Sequence, residues 1–278
     1  MRKTLLFVIA GLLLLAAGCA FSTSAGFPAA KQAATTSRSI PTTPAPGEPP
    51  LTRRDAVPEW AVPYEKKVVV GVVTRRKAVA LTIDDVGATE MKALVDTLVA
   101  NDLHATLFCV GSTMTTEAAS YAAAANGIEL ANHSWVHKSI GWYRPYAANE
   151  QIMRTARLLK AGSGEWPLWY RSPFQLYQSQ GRKAVADSGM LIAGISNDPL
   201  DYHGYTGAQL VGRMSRSLKP GQIIMVHHYD RTIDTLPAIA AELDRRGYET
   251  MTMSELSQLG PPATTNWQLE PFARYFGH

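Results

Sequence analysis

Apolar runs of strand length alternate along most of this chain with longer stretches of helical period. The runs are Val68–Val73, Ala78–Ile83, Ala105–Val110, Ile128–Ala131, Leu168–Tyr170, Leu191–Ile195, Ile223–Val226 and Glu249–Met253. In Ala88–Asn101, Met91, Leu94, Val95 and Leu98 fall on one helical face. Further helices are expected at Thr116–Asn126, Ala148–Ala161, Arg182–Ser188, Ala208–Leu218 and Thr235–Arg246, with Gly127, Gly189 and Gly247 as natural stops. Val68–Val73 and Ala78–Ile83 read as a hairpin across Thr74–Lys77. Elsewhere the strand–helix order demands parallel strands, because only a crossover helix returns the chain to the same sheet edge. The pattern is therefore α/β. About seven such strands suffice to close a (β/α) barrel, with an open doubly wound sheet as the alternative.

Five polar clusters sit where these strands end: Asp84-Asp85, His133 with His137, Arg171, Asp198 with Asp201, and His227. A barrel or an open α/β sheet gathers its strand C-termini at one face, so these groups are expected to meet. Two adjacent carboxylates repel unless a cation intervenes, one binding it and the other staying free as a base. The pair also fits a helix cap before Ala88. His133 and His137, four residues apart, face one side of a helical turn and suit a metal. The residues between them are not those of H-E-x-x-H metalloproteases, so a base must come from elsewhere. Two imidazoles and one carboxylate leave open coordination positions, as catalytic sites do. Arg171 is suited to hold a carboxylate through two hydrogen bonds, or a surface ion pair. Asp198-Pro199 also reads as a turn. His227, ending a wholly apolar strand, suits a general acid.

The chain ends carry different information. Arg2 and Lys3 precede an apolar run, Leu5–Leu15, too short to span a bilayer comfortably. Ala16-Ala17-Gly18-Cys19 then resembles a bacterial lipoprotein signal, with Cys19 as the lipid-modified residue; an ordinary secretory signal is the alternative. Either way the mature chain is expected outside the cytoplasm, anchored to the cell envelope or, without lipid, secreted. Residues 1–19 form this segment, and residues 20–63, rich in Ala, Thr, Ser and Pro, form a tether. Residues 64–259 are expected to form the folded domain that carries the clusters, and residues 260–278 a C-terminal extension packing over the barrel.

Composition changes little else. There are two cysteines, so acylation of Cys19 leaves Cys109, in an apolar strand, as a core residue without a disulfide partner. The net charge of +4 fits an anionic envelope polymer, and no basic run with interleaved aromatics points to nucleic acid. No phosphate-binding glycine loop is present, which counts against nucleotide chemistry. No protein partner can be inferred.

Taken in order, Thr82-Ile83-Asp84-Asp85, His133-Ser134-x-x-His137, Arg171-x-Pro173-Phe174, Asp198-x-x-Asp201-Tyr202 and Ile223-x-Met225-x-His227 resemble the five motifs of the polysaccharide deacetylases. These are carbohydrate esterase family 4, with the NodB-homology domain, and the resemblance covers about Lys67–Ser254. It implies a distorted (β/α) barrel and a divalent metal, usually zinc, with cobalt, manganese or nickel as alternatives. It implies Asp85, His133 and His137 as metal ligands, Asp84 as base and His227 as acid. Arg171 would orient Asp84, and Asp201, preferred over Asp198, would tune His227 or brace Arg171. Pro173, Phe174, Tyr202 and Asp198 would line the substrate, with a backbone N–H near Phe174 stabilising the oxyanion.

The implied reaction is removal of acetyl groups from an envelope or extracellular polysaccharide such as peptidoglycan; an O-acetylated polymer such as xylan is an alternative. A non-catalytic glycan-binding lipoprotein on the same fold is another. The family usually has Phe at Ile83, Gly at Val86, Gly at Gln175, Trp at Tyr202 and Asp at His228. These departures bear on the substrate rather than on the chemistry.

Overall fold

The computed structural model describes residues 58–140 and 145–265. The signal segment with Cys19, most of the tether and residues 266–278 lie outside the described residues. Nine strands form one sheet: β1 (Val68–Val72), β2 (Ala78–Val86), β3 (Ala105–Cys109), β4 (Ile128–Asn132), β5 (Trp169–Tyr170), β6 (Leu191–Ala193), β7 (Ile223–His227), β8 (Glu249–Met251) and β9 (Pro262–Thr265). The helices are α1 (Met91–Ala100), α2 (Thr116–Ala123), α3 (Pro145–Ser163), α4 (Ser179–Asp187), α5 (Gly207–Arg216), α6 (Asp230–Ile233), α7 (Leu236–Arg246) and α8 (Met253–Ser257). The face expected for α1 is the one it buries: Met91, Leu94, Val95 and Leu98. Among the described residues no helix is long and apolar enough to cross a membrane.

The strand order is β7-β2-β3-β4-β5-β6-β1-β9, with β8 also beside β2, and every pairing is parallel except β1 with β9. The sheet curls into a distorted barrel. Single bridges, Asn197 to Ile224 and Gly71 to Gln222, link the β6 and β1 side to β7. Inside, Val69, Ala80, Phe108, Ala131, Trp169, Ala193 and Ile223 pack with Tyr64, Met251 and Leu256. Outside, Ile152, Met153 and Ala156 of α3 and Val185 of α4 pack with Val68, Tyr170 and Ile192 of the sheet.

The expected hairpin does not form. β1 pairs with β6 and β9, while β2 lies between β3 and β7. All of β2 except Asp85 is buried, so it is a central strand that needs a parallel partner on each side. The short Thr74–Lys77 link mimics a hairpin loop locally, but burial decides the pairing. Glu59–Tyr64 forms a 3₁₀ turn with Ala61 fully buried, so packed structure begins inside the stretch expected to be tether. The Tyr64 hydroxyl lies 2.7 Å from Ser257 O and 2.6 Å from Gly260 O, tying this turn to the end of α8. Past Leu259, β9 extends the sheet beside β1.

Gly221 marks the tightest closure. Its φ is +77°, its carbonyl accepts from Val72 N–H at 2.8 Å, and a Cβ there would stand 1.9 Å from Val72 O. Gly221→Ala is expected to cost about 3 kcal/mol, from left-handed strain plus the overlap. Urea denaturation checks this, and a loss below about 1 kcal/mol would show that β1 and β7 part freely.

Candidate active site

Asp84 and Asp85 should point to opposite faces if β2 ran straight. The β2–β3 register shifts between Ile83 and Val86, and Asp85 has φ +64°. This bulge, at a residue type that tolerates left-handed backbone, turns both carboxylates to the C-terminal mouth. Asp84 is paired in register with His227 on the adjacent β7, so these two groups stand at one level on neighbouring strands.

The histidine pair is not on a helical turn. After β4, Asn132 Oδ1 accepts from Ser134 N–H at 2.9 Å, closing an Asx turn, and Ser134 and His137 have φ +70° and +52°. Backbone bonds Gly111 N–H to Ser134 O and Ser112 N–H to Trp135 O pin the loop to the end of β3. The Arg154 guanidinium covers the Trp135 ring at 3.8 Å. A loop shaped by Asn132, rather than helical spacing, brings the two imidazoles together, with ring centroids 5.0 Å apart.

Asp85, His133 and His137 each offer one ligand atom within 4.8 Å of the others. Asp85 Oδ1 is 3.3 Å from His133 Nε2 and 2.8 Å from His137 Nε2. Nevertheless this buried oxygen accepts no hydrogen bond of acceptable geometry. His133 Nδ1 lies 2.9 Å from Arg171 O; the carbonyl can only accept, which assigns the proton to Nδ1 and the lone pair to Nε2. A carboxylate oxygen and an imidazole lone pair so close are two acceptors facing each other. A cation between them removes the conflict, and the Nδ1–carbonyl bond is the usual outer support of a metal-binding histidine. The donor set fits a divalent metal with open positions. Burial opposes ionisation of Asp85; hydrogen bonds and positive charge from His133 and His137, a part that passes to a cation once the ring lone pairs face it, outweigh burial and hold the carboxyl well below the ordinary carboxylate range.

Arg171, after β5, is fully buried and meets Asp84, which is 2% exposed. Nη1 donates to Asp84 Oδ1 at 2.6 Å and to Thr82 Oγ1 at 2.8 Å; Nη2 donates to Gly194 O at 3.0 Å. The guanidinium lies 4.0 Å from the Phe108 ring centroid. A buried cation needs such a paired and hydrogen-bonded setting. The surface ion pair that the sequence also allowed is excluded by this burial. Thr82 in turn donates to Ile224 O at 2.7 Å.

On the other side, His227 Nδ1 lies 2.7 Å from Asp201 Oδ1 and its backbone N–H donates to Asp201 Oδ2 at 2.6 Å. Thr232 Oγ1 also donates to Oδ2, at 2.9 Å, so the fully buried Asp201 is well satisfied. Burial disfavours charge on His227, but Asp201, with Asp84 and Asp85 beyond it, outweighs this and raises the imidazole from 6.5 to about 9. Asp198 points elsewhere: it accepts from Leu200 N–H at 2.8 Å and from the Tyr202 hydroxyl at 3.2 Å, and burial raises its carboxyl. The open choice is thus resolved. Asp201 holds His227 and does not brace Arg171.

Pro173 is buried and starts a turn in which Phe174 and Gln175 have φ +59° and +56°. Phe174 is 42% exposed and meets the His137 ring edge-on at 4.8 Å. The Gln175 and Leu176 N–H groups are spent on Ser172 and Pro173 carbonyls. The Tyr202 ring stands edge-on to His227 at 5.5 Å. Cys109 is fully buried on β3 and burial pushes its thiol far up, as a core residue requires. Sequence reasoning carried Thr82 in its first motif without a role, and missed Thr232 and the carbonyls of Arg171 and Gly194. A polar Thr82 inside an apolar strand was a readable signal; the others had none.

A family model described as polysaccharide deacetylase matches residues 71–193, which include Asp84, Asp85, His133, His137 and Arg171. Over that stretch, less than half of the chain, the sequence is similar to the polysaccharide deacetylases. The match stops before Asp198, Asp201 and His227. Among curated relatives, a bifunctional xylanase/deacetylase of Pseudobutyrivibrio xylanivorans is 28% identical over 190 residues, 66% of this chain and 31% of its own. The peptidoglycan-N-acetylmuramic acid deacetylase PdaC of Bacillus subtilis is 27% identical over 187 residues, 66% of this chain and 39% of its own. The chain thus spans less than half the length of these two relatives. A solved structure of PdaC superimposes with a TM-score of 0.61 at 27% identity, covering 66% of this chain and 92% of that one. A carbohydrate esterase family 4 pseudoenzyme from Bacillus anthracis has a TM-score of 0.63 at 24% identity, covering 68% of each chain; that likeness shows the fold alone.

Proposed function

We propose that this chain is a metal-dependent hydrolase of N-acetyl groups on a cell-envelope or extracellular polysaccharide such as peptidoglycan. The observation that carries the reading is the meeting of Asp85, His133 and His137 without hydrogen-bond geometry, flanked by the Asp84–Arg171 and His227–Asp201 pairs. A bound divalent cation, zinc first and cobalt, manganese or nickel as alternatives, supplies Lewis acidity toward water and the amide carbonyl.

Asp85, His133 and His137 hold the cation. Asp84, oriented by Arg171, accepts the proton of the attacking water. His227, protonated at neutral pH and aimed by Asp201, donates a proton to the departing sugar amine from Nε2. Phe174 and Tyr202 flank the acetyl group from the His137 and His227 sides, with Pro173 shaping the turn and Asp198 fixing the Tyr202 hydroxyl. The products are acetate and a polymer with free amines. The relatives' names support this substrate class, and one of them also names xylanase activity, which keeps O-acetyl groups as a second target. Lipid attachment at Cys19 would place the domain on the outer face of a membrane, next to such a polymer.

Chelator treatment is expected to reduce acetate release from N-acetylated glycans to background, and zinc, cobalt, manganese or nickel to restore it. Metal-loaded protein that frees no acetate from peptidoglycan strands, chito-oligosaccharides or acetylated xylan would sink the enzymatic reading and favour a glycan-binding role.

A further inference from the structure

The loop that carries His133 and His137 is held in a strained shape. Ser134 and His137 both have left-handed backbone, and neither is glycine. Such residues persist only where the surroundings over-determine them. From β3 the hold is main chain: Cys109 O accepts from His133 N–H, and the Gly111 and Ser112 N–H groups donate to Ser134 O and Trp135 O. His133 has a further fix of its own, through Nδ1 to Arg171 O. His137 has none of that kind. Apart from its approach to Asp85 at 2.8 Å, no polar contact orients the His137 ring among the described residues. Its direction therefore follows the loop.

Helix α3 grips this loop at three points, all within one turn of the helix. Ile152 O accepts from Asn132 Nδ2 at 2.8 Å, just before His133. Gln151 Oε1 accepts from Val136 N–H at 3.1 Å, just before His137. Between them the Arg154 guanidinium covers the Trp135 ring. Among the described residues Arg154 is in no ion pair, and its buried Nε has no hydrogen-bond partner, so stacking on the indole is the interaction that uses its charge. The indole has no room to retreat: a Cβ on Gly111 would overlap both it and Thr155 Oγ1 of α3. The helix is itself fixed, with Ile152 and Ala156 fully buried in the cluster that holds Tyr170 and Ile192 of the sheet.

We propose that Gln151 and Arg154 are positioning residues for the metal centre: they set how His137 approaches Asp85 and His133, and so the affinity and ligand geometry of the site. The proposal rests on the metal-binding reading of that triad and adds a separate claim, that a helix supplying no ligand aims the ligands. Outer supports of metal-binding histidines are worth about 10–100-fold in metal affinity.

The test uses the full chain, stripped with chelator and titrated with zinc by calorimetry. Cobalt-loaded protein adds a visible absorption spectrum that reports the ligand set. Arg154→Met removes the charge over the indole, and Gln151→Leu removes the acceptor for Val136 N–H. Each is expected to weaken zinc binding about tenfold and to shift the cobalt bands. Gln151→Glu keeps an acceptor oxygen and should hold the wild-type cobalt bands. Urea unfolding of the zinc-free proteins identifies the variants that are folded during titration; if Arg154→Met is not, Gln151→Leu, at a partly exposed side chain, carries the same test. Zinc affinity within about twofold of wild type in the folded variants, with unchanged cobalt bands, would overturn the proposal and reduce these contacts to packing. Wild type that takes up neither zinc nor cobalt would sink the metal reading and this proposal with it. If the variants bind zinc more weakly but loaded wild type frees no acetate from any glycan, the enzymatic reading fails and the role of α3 stands.

Discussion

Replacing Asp84 with Asn is expected to lower kcat for acetate release by about 10²–10⁴-fold, the usual worth of a positioned general base. Divalent-cation binding should survive, because Asp85, His133 and His137 are untouched and Asp84 Oδ2 lies 3.8 Å from His133 Nε2. The variant carries a second cost. Arg171 is fully buried, and Asp84 is the carboxylate that compensates it. Asparagine can still accept a hydrogen bond but brings no charge, so stability should fall by about 3 kcal/mol. Cation binding by calorimetry and unfolding in urea separate the two effects. A folded, cation-binding variant with activity within tenfold of wild type would remove Asp84 from the role of base.

The second large effect is in the pH profile. His227 is raised to about 9, chiefly because Asp201 outweighs the cost of burial. The protonated ring is the proposed acid, so kcat/KM should fall as pH rises toward that value. A cation at Asp85 cancels part of the negative field, which places the limb between the ordinary 6.5 and about 9 in the loaded protein. Asp201→Asn should move the limb down by about 1–2 pH units and lower activity at neutral pH. The linked stability has a definite sign. A folded-state value above the unfolded one gives a contribution fully present below 6.5 and lost as pH rises through about 9. An alkaline limb that Asp201→Asn leaves in place would assign it to another group.

The legibility of the site varied residue by residue. Asp84, Asp85, Arg171 and His227 each follow an apolar strand, and in a parallel barrel that alone sends them to one mouth. The histidine pair was found for a partly wrong reason. Spacing of four suggested a helical turn, yet Asn132 caps an Asx turn and two left-handed residues curl the loop. The β1–β2 hairpin misled because four polar residues between apolar runs look alike in a hairpin loop and in a link between distant strands. What distinguishes them is that nearly all of β2 is buried, which requires neighbours on both sides.

Local pattern therefore determined the α/β class, the buried face of α1, the strand ends that carry chemistry and the inert core role of Cys109. Periodicity and strand length are set by nearest neighbours along the chain, so they can be read one segment at a time. The resemblance implied that Arg171 orients Asp84 and preferred Asp201 to Asp198, but left open whether Asp201 meets His227 or Arg171; tertiary structure decided that it holds His227. It also decided that Asp85 turns to the same mouth as its neighbour. Those outcomes depend on register, on a one-residue bulge and on which carbonyls face each cation. Contacts between residues far apart in sequence fix all three.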